Sequence, residues 1–351
     1  MNPALSLYLD AVRVLAACAV VLCHFGGQRV SGGLMWWMDP LGTEAVDVFF
    51  VLSGFVIASV AATREGSARD FATARMARIY AVAVPALLLT FTADHLGYAV
   101  FPAAYRTFPG VTPGHVAAWW QGLAALGFFN QAWGMDVPIG SNVPWWSLGY
   151  EVPYYAAFGL AWFGRGWFRF AAPAILLLAM GPNVLLLAPA WCAGLLVWFL
   201  RERLLRRQFA WALAGFPILA WILYEAFAWH VGRLATGVPG IRPVLPQDLL
   251  IAMLFALHLR GAMVLLQDRA LPPAWLKRAI TFCAGRSFSL YLFHLPILIC
   301  LRAAMLRFCP DASPFWMLPV LAVCVLALAE ISERRKAAWL RLFRRAWSGI
   351  G

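Results

Sequence analysis

An arginine and a histidine stand eleven residues apart in an early apolar run, LDAVRVLAACAVVLCHF at 9 to 25. In a helix, eleven steps of about 100° return to within roughly 20° of the start, so Arg13 and His24 project from one face about 16 Å apart along the axis. A guanidinium there can hold an anion, and an imidazole can take or release a proton near neutrality. Asp10, three residues before Arg13, shares that face and can pair with it. An ionisable side chain near a bilayer centre costs about 2.5 to 3.5 kcal/mol on insertion scales, so each such residue is a candidate for function. The plainer reading of His24 is an interfacial histidine touching lipid headgroups. Cys23 invites a Cys/His dyad, but neighbouring helical side chains diverge by roughly 100°.

Four further groups of polar residues interrupt apolar runs. In LGTEAVDVFFVLSGFVI, Glu44 and Asp47 are i, i+3 and could orient an imidazole or bind hydroxyls, or simply begin a wetted helix, while Ser53 and Gly54 are small enough for close helix contact. In ATARMARIYAVAVP, Arg75 and Arg78 form a two-pronged cation suited to phosphate, or anchor the topology. NVPWWSLGYEVPYY places Glu151 two turns into a helix with Tyr154 and Tyr155 beside it and Ser147 one turn earlier. The carboxylate could steady His24 or contact an acceptor, or bond to a neighbouring helix. SLYLFHLPILI sets Tyr291 and His294 at i, i+3 before Pro296, which can kink the helix; His294 reads equally as a packing residue.

What must position these residues is a set of membrane helices. The chain has 351 residues, 63% hydrophobic and 13% charged, against roughly 25% charged in a soluble globular protein. A soluble enzyme is therefore excluded, and the class is all-α, a polytopic integral membrane protein. Spans of about 20 apolar residues are expected near 4 to 25, 43 to 62, 77 to 99, 144 to 163, 170 to 182, 184 to 200, 209 to 229, 246 to 259, 287 to 305 and 313 to 331. An eleventh apolar segment, 116 to 133, would reverse the topology if it spanned. The formal charge is +12. With ten spans and a cytoplasmic N-terminus, 21 of the 28 Lys and Arg residues fall on the inner side, as the positive-inside rule requires. Segment 116 to 133 is then a re-entrant or interfacial helix within an outer loop, and both termini are cytoplasmic. The whole of 1 to 351 reads as one membrane domain, with 332 to 351 a basic amphipathic tail lying on an anionic inner leaflet. The cysteines show no C-x-x-C and no zinc spacing, so neither a disulfide framework nor a metal site is expected.

In this order the motifs resemble membrane acyltransferase family three, the multi-span bacterial O-acyltransferases of surface polysaccharides and related acceptors. The resemblance rests on LDAVRVLAACAVVLCHF, EAVDVFFVLSGFVI, RMARIYAVAVP, WSLGYEVPYY, SFSLYLFHLP and an acidic residue ending the last span, Glu330 or Glu333. It departs from the family where Glu44, Ala45 and Asp47 replace the usual glycines and small residues, and where Arg334 follows Glu333 in place of proline. The resemblance implies a ten-span fold with cytoplasmic termini and acyl-CoA, usually acetyl-CoA, bound from the cytoplasm. It also implies transfer of the acyl group to a hydroxyl, typically of a carbohydrate or glycoconjugate at the outer face of the bacterial inner membrane. The family's essential pair carries over to Arg13 and His24, and its phosphate-side arginines to Arg75 and Arg78.

On this reading His24 is the base, supported by a carboxylate such as Glu151, Glu44 or Asp47. Arg13, Arg75 and Arg78 hold the donor. Asp10, Glu44, Asp47, Ser147, Tyr154, Tyr291 and His294 support the site or meet the acceptor. The rival class is a transporter or flippase for an anionic metabolite or lipid-linked sugar, which predicts inverted repeats that the sequence does not show. A scaffold for a polysaccharide synthesis complex would need no charges aligned within the first span.

Overall fold

Asn2 caps the first helix, its Oδ1 accepting from the Ala4 amide at 2.8 Å, and Pro3 supplies a first position that needs no donor. The computed structural model describes residues 2–106 and 119–348. In chain order its α-helices are α1 (Pro3–Gly26), the single turn α2 (Gln28–Ser31), α3 (Asp39–Arg64), α4 (Ala68–Val100), the single turn α5 (Pro102–Tyr105), α6 (Trp119–Gly127), α7 (Leu148–Phe163), α8 (Phe168–Met180), α9 (Pro182–Phe199), α10 (Arg207–Val231), α11 (Leu245–Leu265), α12 (Ala274–Ala284), α13 (Ser287–Phe308), α14 (Met317–Arg334) and α15 (Lys336–Ser348). No strand occurs among the described residues.

Each expected span corresponds to a helix. Among the described residues, eight helical segments are long and apolar enough to cross a bilayer. The other two expected spans are α7, with 16 residues, and α8, with 13, shorter than the roughly 20 that a crossing helix needs. Edges moved for identifiable reasons. The third helix begins at Ala68 rather than 77 because Ser67 caps it, accepting from the Asp70 amide at 3.1 Å. The eighth continues through Arg260 to Leu265, since Arg260 reaches out and donates to the Arg203 carbonyl at 2.6 Å. The fourth begins four residues late, after a 3-10 turn over Val143–Ser147.

Successive long helices alternate in direction. At one end, here called proximal, Asn2 bonds to the Leu266 carbonyl, Arg286 pairs with Glu330, and Arg69 reaches the Arg344 carbonyl. At the distal end Phe25 packs on Phe315, Trp36 on Trp229, and Trp221 donates to Glu44. The start of α1 and the end of α14 thus share the proximal end. The tail does not lie free: α15 runs back along α4, with Trp339 stacked on Tyr80.

Helices α3 and α9 cross at backbone contact distance. A Cβ on Gly54 would collide with the Trp191 carbonyl, and one on Gly194 with the Val51 carbonyl. Small residues at a crossing let membrane helices gain dispersion contact where no hydrophobic effect drives them together. Ser53, one residue earlier, faces the other way.

Of segment 116 to 133, residues 116–118 lie outside the described residues. The rest forms α6 and then a chain that enters the bundle without spanning it. Asn130, Gln131, Ser141, Asn142 and Ser147 are buried there. Asn142 Nδ2 donates to the Leu292 carbonyl at 2.9 Å and to Thr90 Oγ1 at 3.1 Å. Leu292 is the residue whose helical partner Pro296 has no N–H, so the asparagine satisfies a carbonyl that the proline orphans.

Candidate active site

A cleft between α1, α3, α4, α7 and α13 gathers half of the twelve candidate site residues singled out in the sequence. Arg13, Arg75, Arg78, Ser147, Glu151 and Tyr291 line it, joined by Ser53 and Tyr155. These side chains come from helices up to 278 positions apart in sequence, and each occupies a face that a lone amphipathic helix would give to water.

At the proximal mouth the two expected phosphate ligands differ. Arg75 Nη2 lies 2.7 Å from Glu65 Oε1, and both side chains are largely buried. Burial lifts the Glu65 carboxyl above its ordinary range against the pull of the Arg75 guanidinium. Arg78 has no carboxylate partner among the described residues. Deeper in, Arg13 Nη1 pairs with Asp10 Oδ1 at 3.0 Å, the i, i+3 contact that the spacing predicts.

Glu151 accepts from Ser53 Oγ at 2.9 Å and from Tyr155. It therefore bridges α3 and α7 on the cleft wall. Ser147 Oγ and Tyr291 Oη are 2.8 Å apart, and Tyr291 donates to the Pro144 carbonyl at 2.9 Å. Tyr154 faces away and ties α7 to α9 through the Val184 carbonyl at 2.7 Å.

Neither His24 nor His294 lines this cleft, but the ring of Tyr291, which does, lies 6.3 Å from that of His294. His294, one turn past Tyr291 and fully buried, sets its Nε2 3.0 Å from His24 Nδ1. His294 Nδ1 meets two backbone carbonyls, Leu290 at 3.0 Å and Tyr291 at 2.8 Å. Carbonyls only accept, so that nitrogen carries the proton and Nε2 is the lone-pair side of the neutral ring. His24 Nδ1 faces only acceptors as well, His294 Nε2 and the Val20 carbonyl at 3.0 Å. It must hold a proton too, which leaves the lone pair on His24 Nε2, an atom without a hydrogen-bond partner among the described residues.

The carboxylates expected beside His24 are elsewhere. Glu44 is held by Trp221 at 2.8 Å, Arg233 at 3.1 Å and Gln247 at 3.2 Å. Asp47 is 1% exposed, with neither oxygen hydrogen-bonded among the described residues. Glu151 serves Ser53 and Tyr155. The group that orients His24 is a second histidine, which the Tyr291/His294 spacing pointed to without revealing its partner. Cys23 turns away and donates to the Asp39 carbonyl at 3.3 Å, as the angular argument expected.

The sequence profile of a family described as "Acyltransferase domain" matches residues 6–334. The chain belongs to that acyltransferase family. It is also 37% identical over 169 residues to Acyltransferase MdmB of Streptomyces mycarofaciens, a match covering 46% of this chain and 38% of that relative. The chain thus aligns with less than half of the relative's length. No solved structure matches it. The profile takes in every residue of the cleft and both histidines, so this member of the family carries its polar cleft and the histidine pair within the family region.

Proposed function

We propose that the protein moves an acyl group, in the simplest case acetyl, from cytoplasmic acyl-CoA to a hydroxyl of a carbohydrate or glycoconjugate at the outer face of the bacterial inner membrane. The observation that carries this reading is the polar cleft running from Arg78 and Arg75 at the proximal mouth, past Arg13, to Tyr291, whose ring abuts His294 of the His24–His294 pair. The excess of basic residues on the proximal side favours assigning that side to the cytoplasm.

The anionic nucleotide part of the donor meets Arg78 first, and Arg13 lies farther in along the cleft for the pantetheine arm. The free volume of the cleft is only about 80 Å³, so the arm enters by moving side chains aside. At the distal end the acceptor hydroxyl attacks the thioester carbonyl while His24 Nε2 takes its proton. The resulting imidazolium keeps its Nδ1 proton on His294 Nε2 and the Val20 carbonyl, so charge develops where an acceptor already waits. Collapse of the tetrahedral intermediate breaks the carbon–sulfur bond, and the departing thiolate takes the proton from His24. The ester and free CoA leave at opposite ends.

A transporter or flippase would use the same polar cleft without consuming donor. Purified protein in nanodiscs, given radiolabelled acetyl-CoA and an extract of candidate acceptors, is expected to release CoA and label an acceptor. Counterflow of substrate with no CoA release would replace the enzyme by the transporter.

A further inference from the structure

Distal arginines are unusual, because that is the side which the charge distribution depletes, and each one therefore asks for a partner. Arg233 has Glu44 at 3.1 Å and Glu225 at 2.6 Å. Arg242 has Asp248 at 2.6 Å and lies over the Trp146 ring, so the distal cavity of about 560 Å³ that it lines is already neutralised. Arg106 lies over the Tyr98 ring and donates to its hydroxyl. The remaining three, Arg29, Arg302 and Arg307, have no carboxylate partner among the described residues, and of them Arg307 lies over the Phe308 ring. All three line one cavity of about 620 Å³, and no acidic residue does among the described residues.

Neither histidine lines that cavity, but it is built on the same two chain segments: Gln28 follows His24 by four residues, after α1 ends and Gly27 turns the chain, and Ile299 is five residues past His294 on α13. Arg302 is the inner member, and its Nε is buried without a hydrogen-bond partner among the described residues. A buried guanidinium nitrogen with nothing to donate to leaves its desolvation cost unrecovered unless a ligand supplies the acceptor. Three cations lining one cavity, the exposed Arg29 and Arg307 and the half-buried Arg302 with its orphaned donor, describe an anion site.

We propose that this cavity is the acceptor's vestibule and binds an anionic group, a phosphate or a carboxylate, so that the acceptor hydroxyl is delivered to His24 by a charged handle. The proposal rests on the acyltransferase reading above and narrows it to acceptors carrying such a group.

The test uses full-length protein in phosphatidylcholine nanodiscs, with Arg78→Gln as background so that the proximal cation does not contribute, and inorganic phosphate as the probe. Phosphate is expected to bind this background, and Arg302→Gln on top of it to weaken binding about tenfold or more, with Arg302→Lys recovering part. Because Arg302→Gln could disturb α13, Arg29→Gln and Arg307→Gln are measured as well, and each is expected to weaken phosphate too. Equal phosphate affinity in all these variants, with unchanged melting temperature, overturns the proposal. Nanodiscs containing phosphatidylglycerol separate the sources of the anion: unchanged phosphate binding assigns the site to a free acceptor, and competition by the lipid overturns the vestibule in favour of a headgroup site. Coenzyme A binding to the wild type is read on the same discs. If it is absent, the donor reading fails; if it is present while phosphate ignores Arg302, only the vestibule fails.

Discussion

His294 Nε2 lies 3.0 Å from His24 Nδ1, across 270 residues of chain, and its own Nδ1 is fixed on two backbone carbonyls. One buried imidazole thereby sets the tautomer of the other and leaves the lone pair of His24 on Nε2. His294 is on this account a positioning residue. Replacing it with Gln, whose carbonyl can still accept from His24 Nδ1, should retain more acyl transfer than replacing it with Leu. The Leu variant should lose about tenfold or more, the worth of one hydrogen bond to a group that becomes charged. Coenzyme A affinity should be unmoved in both variants. Equal rates for Gln and Leu would remove the tautomer argument.

The two cationic prongs at the cleft mouth should not contribute alike. Arg75 is committed to Glu65 at 2.7 Å, whereas Arg78 has no carboxylate. Arg78→Ala should weaken coenzyme A binding about tenfold or more, the loss of one charge-assisted contact. Arg75→Ala should weaken it less and lower thermal stability more, because it strands a buried carboxylate. Isothermal titration and melting on the same preparations read both effects, and the reverse ranking would contradict the geometry.

Asn142→Leu should cost about 1 to 3 kcal/mol of stability, since it leaves the Leu292 carbonyl buried and unpaired beside Pro296. Asn142→Asp keeps an acceptor where a donor is needed and should be no better. Chemical denaturation in detergent micelles measures the cost, and a neutral Asn142→Leu would show that the buried segment is held by packing alone.

Gly54→Ala places a Cβ against the Trp191 carbonyl at the α3–α9 crossing. Overpacking of this kind costs about 1 to 3 kcal/mol, and here it pushes backbone against backbone. The melting temperature should fall clearly, whereas Ser53→Ala, on the cleft side of the same turn, should change it little and act through Glu151 instead.

The helices were legible because bilayer thickness imposes a length and an apolar composition that leave a mark in every window of the chain. The Arg13–Asp10 contact was legible for a related reason: three residues on one helix fix their own distance. The departures at the site involve contacts that reach beyond a single helix. Nothing in the periodicity of residues 9 to 25 says that His294 rather than a carboxylate will stand beside His24. Nor does the spacing of Arg75 and Arg78 say that Glu65 folds back onto the first and leaves the second. The burial of residues 128 to 147 escaped for the same reason, since Asn142 and Ser147 acquire their partners only once Pro296 has freed the Leu292 carbonyl and Tyr291 has turned inward.

The central claim is that His24 Nε2 is the base that activates the acceptor hydroxyl. The most direct measurement is acyl transfer from radiolabelled acetyl-CoA in membranes carrying wild-type protein or His24→Ala, normalised to expression and to coenzyme A binding. Loss of a general base should lower the rate about 10² to 10⁴-fold with donor binding intact. A His24→Ala protein that is expressed normally, binds coenzyme A and transfers at near the wild-type rate would contradict the account.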